Sequence, residues 1–172
     1  ERAAGDRFAL VAFAGEARPL VPLTRDLRSF GEIVAATVAL SVRRGGTDLG
    51  AALEAAREML GGRPGAVVLL TDGEDLDGRG LAAARACREH GIAVHAVGYG
   101  TARGAKIPWD GAFVTDGRGN EVVSTLDPAS LRRIADAAGG AVREAGALVD
   151  LYEDEILPSA RESDASRERR RK

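Results

Sequence analysis

The 172-residue chain has few of the features that a nucleic-acid binder needs. Aromatic residues make up 4% of it, too few for the stacking platforms that grip single strands. It has no basic excess, since 24 Lys and Arg stand against 26 Asp and Glu and give a formal net charge of −2. Its one cysteine, Cys87, excludes an internal disulfide and leaves the redox compartment open. That residue lies on a helical pattern in "LAAARACREHG", where a small buried thiol is the default reading. No apolar run approaches the ~20 residues needed to cross a bilayer. Signatures of several enzyme classes are also missing. There is no G-x-S-x-G, no P-loop and no pair of His ligands, and the first strand-to-helix turn has no G-x-G-x-x-G. Lysine is scarce beside arginine, which reads as composition bias and carries no function. The chain begins at Glu1 without a secretory apolar region, and both ends are expected to be cut from something longer.

What is present is an alternation of apolar strands and amphipathic helices. "RFALVAFA" (7–14) is a short apolar strand. "ARPLVPLT" (17–24) suits an edge strand, because its two prolines cannot donate to a ladder. Residues 26–39 place Leu27, Phe30, Val34 and Val38 on one helical face, and Leu49, Ala52, Leu53, Ala56 and Leu60 form a second face halted by "GGRPG". "AVVLLT" (66–71) shows no polar alternation, as expected of a central parallel strand covered on both faces. A third helix over 79–90 leads into the strand "IAVHAVGYG". Residues 111–125 read as a hairpin around Asp116–Asn120. Asp127 is a candidate N-cap with Pro128 at the first helical position, followed by the apolar face Leu131, Ile134, Ala135 and Ala138. "GAVREA" gives a last strand, and "ALVDLYEDEIL" a last helix halted by Pro158. The fold class is α/β, with a doubly wound, mostly parallel sheet and helices on both faces. Residues 1–157 form one domain, and 158–172 a charged linker.

Asp72, Glu74, Asp75 and Asp77 crowd the end of the buried strand, at the rim where ligands bind in such folds. The preceding helix runs antiparallel to that strand. Twelve residues of helix cover ~18 Å and six of strand ~20 Å, so Thr47 at the helix mouth is expected level with Asp72. Two readings fit this pair. A hydroxyl and a carboxylate are hard oxygen donors that suit Mg²⁺, which takes one or two carboxylates and keeps several waters. Alternatively, Thr47 or Asp48 caps its helix and Asp72 opens a turn through Gly73. Glu74, Asp75 and Asp77 read as solvated loop charges that complement the next helix dipole. A metal-dependent phosphoester hydrolase using the Asp72 to Asp77 carboxylates is the rival function. It lacks an evident nucleophile or base.

"RFALVAFAG", "GGTDLGAAL", "VVLLTDGED" and "GIAVHAVGYGT", in this order, resemble a von Willebrand factor A (VWA) domain. "VPLTRD", "IPWDGAFVTDGRGNEVVST" and "LDPASLRRIADAAGG" narrow the similarity to bacterial Bat-type, aerotolerance-related, membrane-anchored VWA proteins. The resemblance implies a non-enzymatic protein-binding module with a metal-ion-dependent adhesion site (MIDAS). There Mg²⁺, or Mn²⁺, is held at Thr47 and Asp72 and completed by a partner's carboxylate. It also implies a MoxR-type AAA+ ATPase and sibling VWA proteins as partners, with the full-length protein at the inner membrane. The family's Asp-x-Ser-x-Ser motif is missing from the chain. "ERAAGDR" resembles the tail of the helix that follows the motif's strand. A first central strand is therefore expected to be absent, leaving a partial domain with weak metal affinity. "RERRRK" would flank a membrane helix beyond the chain.

The remaining polar residues invite simpler readings. His90 favours the negative end of its helix, and His95 is expected to be a hydrogen-bonded structural residue within a strand. Asp110, Asp116 and Asn120 suit turn chemistry better than a Ca²⁺ loop. Trp109 is expected at the surface or packed on the hairpin.

Overall fold

The computed structural model describes residues 5–37, 45–109, 111–115 and 118–161. The chain divides into two compact units. One comprises Glu1–Val67 with Asp75–Ala93, the other Val68–Glu74 with Val94–Lys172.

The first unit opens with an antiparallel pair, β1 (Phe8–Phe13) and β2 (Ala17–Thr24). Its register slips twice, between Phe8 and Leu10 and between Leu10 and Val11. The first slip takes in Pro22, where a missing N–H interrupts the ladder and a bulge is the least costly repair, and the second falls at Leu20, beside Pro19. Helix α1 (Leu27–Ala36) is capped by Asp26, whose carboxylate accepts from the Ser29 N–H at 3.0 Å. Its Phe30 ring sits 5.7 Å from that of Phe8. Val38, expected on the same face, lies outside the described residues. The core of this unit forms where α2 (Leu49–Leu60) meets α3 (Gly80–Glu89). Leu49, Ala52 and Leu53 of α2 and Ala83, Ala84 and Cys87 of α3 are all buried. The small residues let the helices approach closely. A Cβ on Gly50 would stand 2.5 Å from the Arg79 Cβ. Gly61 closes α2 in the left-handed region at φ 58°, which is why "GGRPG" ends the helix. Cys87 is a buried thiol, its pKa pushed up by desolvation. His90 holds the end of α3 through Nδ1, 2.8 Å from the Ala86 carbonyl.

The second unit is built on a parallel sheet ordered β3 (Gly65–Thr71), β4 (Ile92–Gly98), β9 (Val142–Glu144), whose first two strands begin in the other unit. Leu69, Val94, Ala96 and Val97 of the sheet are buried, as are Leu131, Ile134, Ala135 and Ala138 of α4 (Pro128–Ala138). Asp127 is the N-cap of α4, accepting from the Ser130 N–H at 2.9 Å, with Pro128 beside it as expected. Among the described residues the strands form separate hydrogen-bonded sets, β1 with β2 and β3 with β4 and β9.

Two elements differ from their sequence-based expectations. The hairpin expected over 111–125 is a longer ribbon that starts earlier. In it β5 (Ala105–Lys106) pairs with β8 (Val123–Ser124), and β6 (Pro108–Trp109) with β7 (Ala112–Phe113). Of the acids singled out there, Asp110 and Asp116 lie outside the described residues, as do residues 162–172 of the charged tail. The last helix begins with α5 (Leu148–Leu151), widens into a π turn over Tyr152–Ile156, and continues through Pro158 to residue 161. Pro158 was expected to end it. A π turn shifts the bonding partner from i−4 to i−5, and the Leu157 N–H reaches the Tyr152 carbonyl. The widening relieves the clash between a proline ring and the carbonyl four residues back.

His95 is 4% exposed, and its Nδ1 accepts from the Ala141 N–H at 3.1 Å. The ring is therefore neutral, with its proton on Nε2. Burial lowers its pKa, opposed by the charge of Glu155 and aided by that of Arg143. With a folded value below the ordinary one near 6.5, the unfolded chain binds the extra proton first. The stability His95 contributes is complete above pH ~6.5 and falls away as the pH drops toward the lowered folded value. Thermal melts between pH 7 and pH 5 are expected to show falling stability. His95→Asn, which keeps an acceptor for the Ala141 N–H and cannot titrate, should flatten that slope.

Candidate functional site

Strand β3 ends at the buried Thr71, and the next three residues turn sharply. Gly73 is buried with φ +88°, and a Cβ there would lie 2.7 Å from the Asp127 carbonyl oxygen and 2.8 Å from the Leu131 Cγ. Only glycine meets both conditions. The turn leaves the Asp72 carboxylate half-buried and held at both oxygens. Its Oδ1 accepts from the Glu74 N–H at 3.1 Å and lies 3.4 Å from the Thr71 hydroxyl. Its Oδ2 accepts from the Ser124 hydroxyl at 2.6 Å. The Asp72 carbonyl accepts from the Asp127 N–H at 2.7 Å, and the Thr71 carbonyl from the Tyr99 N–H at 2.9 Å.

Glu74 and Asp75 are not the solvated charges expected of a loop. Glu74 is half-buried, and its Oε1 accepts from the Thr125 N–H at 3.3 Å. Asp75, in the other unit, accepts from the Gly80 N–H at 2.7 Å and so satisfies one of the orphan donors of α3. Its second oxygen is buried and has no hydrogen-bond partner among the described residues. Both acids are drawn inward because backbone N–H groups at the turn and the helix start need acceptors. Asp77 is exposed, as expected.

In the first unit, Thr47 is half-buried just ahead of α2, and its carbonyl accepts from the Leu76 N–H at 2.9 Å. Asp48 is the N-cap, accepting from the Ala51 N–H at 2.8 Å, so the capping role falls to it rather than to Thr47. Asp48 is 3% exposed and pairs with Arg79. Burial alone would raise its pKa. The Ala51 N–H, the Arg79 hydrogen bond and charge, and Asp77 together outweigh that and hold it below the usual carboxylate range.

The Thr47 hydroxyl in the first unit and the Asp72 carboxylate in the second are each hard oxygen donors of the kind Mg²⁺ takes. Among the described residues there is no group of three or more His, Cys, Asp or Glu side chains arranged to hold a metal ion. The residue that the sequence did not flag is Ser124, which reaches Asp72 across 52 positions. No local pattern signals such a contact.

The profile of the von Willebrand factor type A domain matches residues 2–142. The chain belongs to that family. Among solved structures, this VWA domain is similar to an aerotolerance-related membrane protein from Bacteroides fragilis, with 32% identity and a TM-score of 0.74 over 82% of this chain and 72% of that one. It is also similar to BatB from Bacteroides thetaiotaomicron, with 29% identity and a TM-score of 0.78 over 84% and 73%. A third relative is proximal thread matrix protein 1 of the mussel byssus, solved with zinc in its MIDAS motif. It shares 25% identity and gives a TM-score of 0.56, over 86% of this chain and 33% of that one. No curated protein matches the sequence.

Two substitutions test the local constraints of the VWA domain. Gly73→Ala combines left-handed strain with a backbone clash and should cost about 3 kcal/mol or more in urea denaturation. Arg79→Met leaves the Asp48 carboxylate buried without its cation. It should lower the urea midpoint, with Asp48→Asn in the same chain recovering part of the loss.

Proposed function

We propose that this VWA domain is a metal-ion-dependent protein-binding module in which the Thr47 hydroxyl and the Asp72 carboxylate supply oxygen ligands to Mg²⁺ or Mn²⁺. A partner's carboxylate completes the coordination. The observation that carries the reading is Asp72 itself, a half-buried carboxylate fixed at the end of β3 in a member of this family. The zinc-bound MIDAS of the mussel relative supports divalent binding at the family's site. The similarity to an aerotolerance-related membrane protein supports a place in a bacterial membrane-associated assembly, which we assign to the inner membrane. Sibling VWA proteins and a MoxR-type AAA+ ATPase are the partners proposed. Among the described residues no helix is long and apolar enough to cross a membrane, so attachment is assigned to segments outside them.

The module is not an enzyme in this reading. A hydrolase built on the carboxylates from Asp72 to Asp77 would need them open to substrate. Instead, Glu74 and Asp75 accept backbone N–H bonds that shape the turn and start α3.

Mn²⁺ titration followed by electron paramagnetic resonance checks the ligand assignment. Weak binding is expected, since the Asp-x-Ser-x-Ser ligands are missing from the chain. Thr47→Ala and Asp72→Ala should each reduce it, with the fold of each variant checked by circular dichroism. Unchanged Mn²⁺ binding in both variants would remove the two residues from the site.

A further inference from the structure

We infer that Ser124 is a positioning residue for a divalent cation at Asp72, acting through the carboxylate rather than as the primary ligand. The inference rests on the reading of Asp72 as a metal ligand and adds a residue from a different part of the chain.

The argument starts from the carboxylate's freedom. A carboxylate that ends a strand can rotate about its Cβ–Cγ bond and present either oxygen. Asp72 cannot do so freely, because its two oxygens answer to different donors. The Glu74 N–H holds Oδ1, in a turn fixed by Gly73. The Ser124 Oγ–H holds Oδ2, at 2.6 Å the shortest of the contacts to this carboxylate. Oδ1 faces both the Glu74 N–H and the Thr71 hydroxyl, whereas Oδ2 accepts from Ser124 and keeps a second acceptor position for a cation.

Ser124 is itself held firmly. It lies on β8, paired with Ala105 of β5. Behind it Gly104, at φ +72°, packs so closely that a Cβ would stand 2.7 Å from the Val123 Cγ1 and 2.9 Å from the Thr125 Oγ1. The adjoining Thr125 N–H bonds Glu74, so two successive residues at the ribbon base grip the two acids of one turn. The ribbon thus sets where the Asp72 oxygens point.

Outer-shell partners that orient a ligating carboxylate are worth roughly ten- to hundred-fold in metal affinity. Mn²⁺ affinity of the full chain, read by electron paramagnetic resonance, is the test. Ser124→Ala should weaken binding by about ten-fold or more, whereas Ser124→Thr, which keeps the hydroxyl, should stay within about two-fold. Ser124→Val fills the same volume as the Thr variant without the hydroxyl and should behave like Ala. It serves as the test should Ser124→Ala fail to fold, as judged by circular dichroism. A residue that merely anchors the ribbon would lower the melting temperature in the Val variant and leave Mn²⁺ affinity alone. If Asp72→Ala loses Mn²⁺ while Ser124→Ala and Ser124→Val bind it as tightly as the unaltered chain or more so, the inference falls and the metal reading stands. If the unaltered chain does not bind Mn²⁺, or Asp72→Ala binds it equally well, the metal reading falls and takes the inference with it.

Discussion

At the end of β3 the backbone must turn where no side chain fits. Gly73 lies against the Asp127 carbonyl and the Leu131 side chain, with a positive φ that other residues resist. Much of the second unit is arranged around that turn. It brings the Glu74 N–H back onto the Asp72 carboxylate, and it leaves the Asp72 carbonyl to receive the Asp127 N–H. Asp127 in turn caps α4 through its own carboxylate, so one residue joins the end of a strand to the start of a helix. Leu131, the side chain that forbids a Cβ at residue 73, is fully buried in that helix. Steric exclusion, hydrogen bonding and apolar burial therefore act at the same place.

The first unit meets a similar demand with a different device. The starts of α2 and α3 both carry orphan N–H groups, and both are answered by carboxylates, Asp48 for the one and Asp75 for the other. Burial alone would raise the pKa of Asp48. Its cap bond and Arg79, the residue that begins α3, keep it charged. A buried carboxylate is tolerable here because all of its partners are local to the two helix starts. The acids of "TDGEDLDG" are consequently divided. Asp72 and Glu74 serve the strand-end turn, Asp75 serves a helix start in the other unit, and Asp77 remains exposed.

What could be read from the sequence follows the range of the interactions involved. The face of α4 with its Asp127–Pro128 start, the α2 face ended by Gly61, and the unbroken apolar run of β3 are all set by neighbours within about four residues. The prolines of β2 announced an edge strand. Long-range contacts gave no such warning. Ser124 touches Asp72 from a ribbon whose strands are two residues long, too short for any periodicity to register. Glu74 and Asp75 looked like solvent-facing charge because their acceptor roles depend on where the Thr125 and Gly80 N–H groups come to rest. Pro158 misled for the opposite reason. Its local rule is sound, but a π turn just ahead of it removes the steric conflict on which the rule depends.

For a cation at Asp72, two opposing effects decide how the surrounding hydrogen bonds act. Each donor draws charge from the carboxylate and so weakens its pull on a positive ion. Each donor also restricts rotation, so less orientational freedom is lost when the ion binds. Removing an outer-shell partner typically lowers metal affinity by about ten- to hundred-fold, or ~1.4–2.8 kcal/mol, which implies that orientation outweighs withdrawn charge. The balance matters most where protein donors are few. Mg²⁺ usually keeps several waters and takes only one or two carboxylates, so an error in the angle of one carboxylate is not averaged over many ligands. A rim with a sparse donor set therefore needs a rigid carboxylate more than a crowded one does, and the Gly73 turn and the Ser124 hydroxyl together make Asp72 rigid.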